Sequence, residues 1–169
     1  MLYQIQFSPT GGTQKAADAL CLGLGTPDRV IDLCDRRQAL SQWVFSPEDL
    51  CLVAVPSYGG RVPGIAMERL GRMTGGGAGA VLLCVYGNRA FEDTLLELED
   101  LLTARGFRCQ GAAAAVAEHS IVRKFAAGRP DAQDRAELAD FGAQLLQAIQ
   151  AGAAAPVRVP GNRDRKSVV

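Results

Sequence analysis

The stretch LYQIQFSPTGGTQK, residues 2–15, decides the fold. Leu2 to Phe7 is an apolar run of strand length. It stops at a polar, glycine-bearing turn, Ser8-Pro9-Thr10-Gly11-Gly12-Thr13, and an Ala/Leu-rich helical pattern follows from Gln14 to Leu24. A strand, a tight hydroxyl-rich turn and a helix N-terminus together make a phosphate site. Backbone N–H groups and Ser/Thr hydroxyls converge there, and the helix dipole favours an anion. The turn lacks the Lys-Ser/Thr pair of a P-loop, and it is no G-x-G-x-x-G dinucleotide fingerprint.

Outward from this stretch the alternation of strand and helix repeats. Gly23 and Gly25 are expected to stop the first helix, and Pro27-Asp28 turns the chain. Arg29 to Leu33 reads as a second short strand. Residues 35–49 are a mixed, polar connection with a broken helix, in which Trp43 and Phe45 seal the edge of the core. Leu50 to Val55 is continuously apolar, as a strand covered on both faces should be. It ends at a glycine- and proline-rich loop, Pro56-Ser57-Tyr58-Gly59-Gly60-Arg61-Val62-Pro63-Gly64. Ile65 to Met73 is helical in pattern, with Gly75 to Gly77 as its end.

Ala80 to Tyr86 is the most apolar strand, and it meets a second polar loop over residues 87–93. Leu95, Leu98, Leu101 and Leu102 predict an amphipathic helix from Phe91 to Arg105, with Glu92 and Asp93 capping its start and Gly106 its end. Phe107 to Val116 is a strand with an alanine run, closed by Glu118-His119-Ser120. Pro130-Asp131 announces a last helix carrying Leu138, Phe141, Leu145 and Ile149 on one face.

Strands alternating with helices in this way call for an α/β fold: a five-stranded parallel sheet with helices on both faces. Right-handed crossovers make the strand order 2-1-3-4-5 the simplest solution. The order then reverses between strands 1 and 3, and ligands bind in the crevice outside the carboxyl ends at such a point. The loops after strands 1, 3 and 4 meet there. At 169 residues, the expectation is one domain over residues 1–152 and a basic tail or truncated linker over 153–169.

Formal net charge is zero, with 18 basic and 18 acidic residues, so no nucleic-acid partner is expected. There is no signal-peptide pattern and no apolar run long enough to span a membrane, which predicts a cytoplasmic protein without a membrane partner. Five cysteines, Cys21, Cys34, Cys51, Cys84 and Cys109, have no C-x-x-C spacing. They read as reduced, buried, small apolar residues and not as metal ligands. No G-x-S-x-G elbow is present, and strand 3 ends in Pro56-Ser57 where a response regulator would need an aspartate.

The three loops together resemble the flavodoxin family. SPTGGTQK is similar to its short Ser/Thr-Gly phosphate loop, PSYGGRVP to the loop lying against the isoalloxazine ring, and YGNRAFEDT to the element on the ring's other side. With AEHS and VPGNR, the motifs are similar to a bacterial subgroup in which a two-cluster ferredoxin domain follows. Here no C-x-x-C-x-x-C run follows Arg163.

The resemblance implies FMN as cofactor. Ser8, Thr10, Gly11, Gly12, Thr13 and Gln14 would hold its phosphate. Pro56, Ser57, Tyr58, Gly59, Gly60 and Arg61 would line one side of the ring. Tyr86, Gly87, Asn88, Arg89 and Phe91 would line the other. Tyr58 would supply a stacking face, and the Gly59-Gly60 peptide a backbone group able to turn toward the ring as it gains a proton. Arg61 and Arg89 argue against a very low potential. The solitary His119 has two readings, a structural residue or a group near the flavin or a substrate. The expected function is electron transfer with a redox partner such as a ferredoxin or a reductase. The alternatives are an FMN-dependent NAD(P)H or quinone reductase, and a flavin-free interaction module.

Overall fold

A computed structural model describes residues 1–87, 91, 93–117, 129–154, 157, 159 and 161. Among these residues five strands, β1 (Leu2–Gln6), β2 (Arg29–Asp32), β3 (Leu50–Pro56), β4 (Gly79–Tyr86) and β5 (Arg108–Val116), alternate with four helices. These are α1 (Gly12–Leu24), α2 (Gly64–Leu70), α3 (Thr94–Ala104) and α4 (Ala132–Gln150). The broken helix of the β2–β3 connection is a single 3-10 turn, Leu40–Gln42. Every strand pairing is parallel and the order is β2-β1-β3-β4-β5, as the alternation predicts.

The alternation of side chains along β1 sets the two layers. Tyr3, Ile5 and Phe7 enter the core under α2 and α3, with Leu70, Leu95, Leu98 and Leu102. Leu2, Gln4 and Gln6 turn the other way, toward α1 and α4. The buried Gln4 amide is satisfied there, donating to Gln6 Oε1 and to Asp18 Oδ1, both at 2.8 Å. β3 and β4 are buried along nearly their whole length, which is why both read as unbroken apolar runs.

Phe45 is buried and Trp43 stacks on it, with ring centroids 6.2 Å apart and planes 10° from parallel. Tyr3 meets Phe45 edge-on at 4.8 Å, so the two aromatics of the connection do seal the core near the amino ends of the strands.

Several sequence-based boundaries move. Gly23 does not stop α1; the helix runs to Leu24 and Gly25 is its C-cap, with φ 128°. Gly23 instead faces α4: a Cβ there would lie 2.0 Å from the Ala139 carbonyl oxygen. Gly142 makes the reciprocal approach, its notional Cβ 2.5 Å from the Leu20 carbonyl oxygen. The helices therefore touch backbone to backbone. α2 ends at Leu70, with Gly71 as its C-cap. Gly76 and Gly77, at φ 60° and 87°, form the turn that follows.

α3 starts at Thr94, three residues later than expected, because the Phe91 ring stays packed with Tyr86 at 5.4 Å. Asp93 sits at the N-cap, yet its side chain makes no capping hydrogen bond. α4 is capped as the sequence suggests, with a capping box: Asp131 Oδ1 accepts from Asp134 N and Asp134 Oδ2 from Asp131 N, both at 2.9 Å.

All five cysteines are free thiols. Cys21, Cys51 and Cys84 are buried, and burial pushes each thiol up to about 12. Cys34 and Cys109 are only half-buried, against expectation. Val157 N donates to the Cys109 carbonyl and Val159 packs on the core, so part of the C-terminal segment lies against the domain. Among the described residues no helix is long and apolar enough to cross a membrane, and no metal-ligating cluster occurs.

Candidate functional site

The carboxyl ends of β1, β3 and β4 lie side by side, with Gln6 paired to Ala54 and Pro56 to Val85. Three loops therefore leave the sheet at one edge, at the reversal of strand order.

The first loop carries residues 7–11 into α1. Gly11 is the N-cap, held at φ 91°, a left-handed conformation that glycine adopts without strain. Having no side chain, it cannot cap the helix. Ser8 does so from a distance, its Oγ accepting from Gln14 N at 3.0 Å. Gln14, expected to donate its N–H to a phosphate, is thus already engaged. The Ser8 hydroxyl proton remains directed elsewhere, since that bond uses only an oxygen lone pair. The N–H groups of Thr10, Gly11, Gly12 and Thr13 have no partner among the described residues. Thr10 is exposed, Thr13 is buried, and Lys15 points into solvent along α1.

Beside this loop, at the end of β2, stands Cys34. Burial pushes its thiol up, opposed by a main-chain hydrogen bond from Ser8. Arg69 of α2 donates to the Leu33 carbonyl, so its guanidinium serves the end of β2.

The second loop begins with Ser57, whose N–H donates to the Val85 carbonyl at 2.9 Å. Its hydroxyl lies 2.7 Å from that of Thr94, which is fully buried. Tyr58-Gly59-Gly60-Arg61 is a tight two-residue turn. Tyr58 N donates to Arg61 O at 2.8 Å and Arg61 N to Tyr58 O at 3.1 Å. Gly59 and Gly60 have φ 60° and 77°, the pair of positive values that a type I′ turn requires. Tyr58 is 44% exposed and offers an aromatic face at the edge.

Arg61 forms a two-pronged pair with Glu97 of α3, Nε to Oε1 and Nη2 to Oε2 at 2.9 Å each. Asp93 N donates to Gly60 O at 3.1 Å, which ties the second loop to the third.

In the third loop Tyr86 and Gly87 are half-buried and Phe91 packs against the core. Asn88, Arg89, Glu92 and His119 lie outside the described residues. Pro56 is the buried last residue of β3. The structure thus gathers Ser8, Thr10, Gly11, Gly12, Thr13, Ser57, Tyr58, Gly59, Gly60, Arg61, Tyr86 and Gly87 at one edge. Sequence reasoning missed Thr94 and Glu97, because each meets its partner 36 or 37 residues away and nothing local signals it.

Chemically, the first loop offers an anion N–H donors and hydroxyls, the N–H groups of residues 10–13 being unpaired among the described residues. The second offers a flexible-backbone turn and an aromatic face to a flat, apolar group.

No protein-family profile and no curated protein matches the chain. Solved structures do. The flavodoxin of Streptococcus pneumoniae TIGR4 is 21% identical with a TM-score of 0.61, covering 88% of this chain and 99% of its own. Oxidised flavodoxin 1 of Bacillus cereus is 18% identical at a TM-score of 0.59, over 86% and 97%. The Flv1 flavodiiron core of Synechocystis sp. PCC6803 is 16% identical at a TM-score of 0.58, over 89% of this chain and 36% of that one. This chain therefore spans about a third of that larger protein's length. With the parallel order β2-β1-β3-β4-β5, these likenesses establish that the protein has the flavodoxin-like fold.

Proposed function

We propose that the protein binds FMN at the carboxyl edge of the sheet and transfers electrons. The observation that carries this reading is the donor set of the first loop. Among the described residues, four consecutive N–H groups, Thr10 to Thr13, lack partners at the start of α1, next to the Ser8 hydroxyl. That set suits a phosphate dianion, because orphan amide donors and the helix dipole stabilise negative charge together. The neighbouring Tyr58 and the Gly59-Gly60 turn suit a flat ring. When bound, the flavin would accept and release electrons one or two at a time.

The chain's own residues would do the rest. Ser8, Thr10 and Thr13 hydroxyls and the N–H groups of residues 10–13 would hold the phosphate, and Gly11 would keep the backbone close to it. Tyr58 would cover one ring face, and Gly59-Gly60 would present backbone groups to the ring's edge. Tyr86, Gly87, Asn88, Arg89 and Phe91 would border its other side. Residues 1–152 would be the flavin-binding unit. A cytoplasmic redox partner such as a ferredoxin or a reductase would exchange electrons with it.

Fluorescence titration of flavin-free protein tests the phosphate assignment. FMN should bind with a micromolar or tighter Kd, and riboflavin, which lacks the phosphate, at least about 100-fold more weakly, since charge-assisted hydrogen bonds contribute about 1.5–3 kcal/mol each. Equal affinities would remove the assignment.

A further inference from the structure

We infer that Arg61 and Glu97 are positioning residues: their ion pair clamps the Tyr58–Arg61 turn so that one peptide, Gly59–Gly60, is left to rotate beside the flavin. The clamp itself stands on the geometry; its effect on the flavin rests on the FMN reading above.

Five of the turn's eight backbone N–H and C=O groups are held. Tyr58 and Arg61 exchange both main-chain hydrogen bonds, at 2.8 and 3.1 Å. Gly60 O accepts from Asp93 N at 3.1 Å, which fixes the Gly60–Arg61 peptide. Ser57, just before the turn, is fixed through its N–H to Val85 and through its hydroxyl to buried Thr94. Within the described residues, no hydrogen bond engages the Gly59 carbonyl or the Gly60 N–H. These two groups belong to one peptide unit, flanked by two glycines at positive φ. Gly59 is exposed and a notional Cβ on it meets nothing within 4 Å, so the turn is open at Gly59, while Gly60 is buried.

What stops the whole turn from moving instead is its outer anchor. Arg61 is 46% exposed at its side chain, yet two nitrogens of its guanidinium meet the two Glu97 carboxylate oxygens, a two-pronged pairing that fixes orientation as well as distance. Glu97 lies one turn into α3, and its N–H donates to the Asp93 carbonyl at 2.9 Å. Asp93 in turn holds Gly60. The turn is therefore tied to the start of α3 twice, once through backbone and once through charge. Loss of the ion pair would let the loop move as a unit, and the Gly59–Gly60 peptide would no longer be presented at a fixed place.

The test uses the full chain with Arg61→Gln, Glu97→Gln and the exchanged pair Arg61→Glu/Glu97→Arg. In flavin-free protein, hydrogen exchange at Arg61 N–H should quicken about two- to five-fold in each single variant, the range for a part-exposed ion pair, and return toward the parent rate in the exchanged pair. Unchanged exchange in both single variants would overturn the clamp. In FMN-loaded protein, Glu97→Gln should lower the first midpoint potential by about 20–40 mV, the same fold-change at 59 mV per decade. Removal of a negative charge would by itself raise that potential, so a rise, or no change, would refute the positioning role. If the parent protein takes up no FMN, the flavin reading and the positioning role with it are refuted, while the exchange measurement still decides the clamp.

Discussion

Replacing Gly23 with alanine puts two effects of opposite sign into competition. In an ordinary helix interior the change stabilises by up to about 1 kcal/mol, because alanine loses less backbone entropy. Here the new Cβ would lie 2.0 Å from Ala139 O, 2.5 Å from Ala143 N and 2.9 Å from Gly142 C. All three are backbone atoms, so no side chain can swing aside. The nearest is more than about 1 Å inside van der Waals separation, and relief requires α1 and α4 to move apart. Both helices also cover Leu52 of β3 and Leu83 of β4 in the layer beneath, with Leu138 of α4 packed among them. Overpacking of this kind costs about 1–3 kcal/mol. Net of the propensity gain, we expect a loss of about 1–2 kcal/mol, or a fall in Tm of about 2–8 °C for a chain of this size. Urea denaturation followed by circular dichroism measures it. Gly142→Ala should behave alike, and the double variant should lose less than the sum, since both relieve the same contact. A Gly23→Ala protein as stable as the parent, or more so, would refute the backbone-contact argument.

Asp134→Asn probes the start of α4. Arg129 beside it, with the Asp131 N–H, holds the Asp134 carboxyl well below the usual range. A depressed folded-state pKa stabilises above the unfolded value near 3.9 and is lost as pH falls. The variant should therefore be less stable by about 1 kcal/mol at pH 7, with the gap closing below about pH 4 in paired urea titrations. Ser8→Ala removes the acceptor of the Gln14 N–H and a proposed phosphate donor. FMN affinity should fall about 10–100-fold, measured by fluorescence, with little change in affinity for riboflavin. Tyr58→Ala should weaken FMN and riboflavin alike, by about 2–10-fold, as expected for one aromatic face.

The architecture was legible because its signals are local. β3 and β4 are apolar at every position, and only a strand covered on both faces tolerates that over seven or eight residues. Ser8-Pro9-Thr10-Gly11-Gly12-Thr13 announced a turn and a helix start for reasons of backbone chemistry alone. Long-range contacts were not legible. Gly23 looked like a helix stop, whereas its function is to admit α4, and the reason sits at Ala139, Gly142 and Ala143. Arg61 read as a residue facing the ring, since the sequence gives no sign that Glu97 folds against it. Asp93 was expected to cap α3 by its side chain; its backbone N–H instead goes to Gly60. The start of α3 shifted past Phe91, whose ring packs on Tyr86.

The most direct measurement is a visible absorption spectrum of the purified protein, before and after equilibration with excess FMN and removal of the unbound fraction. The account predicts flavin bands near 1:1 stoichiometry, which disappear on reduction with dithionite and are lost in Ser8→Ala washed at low micromolar protein. A colourless protein that retains no FMN after equilibration would contradict it.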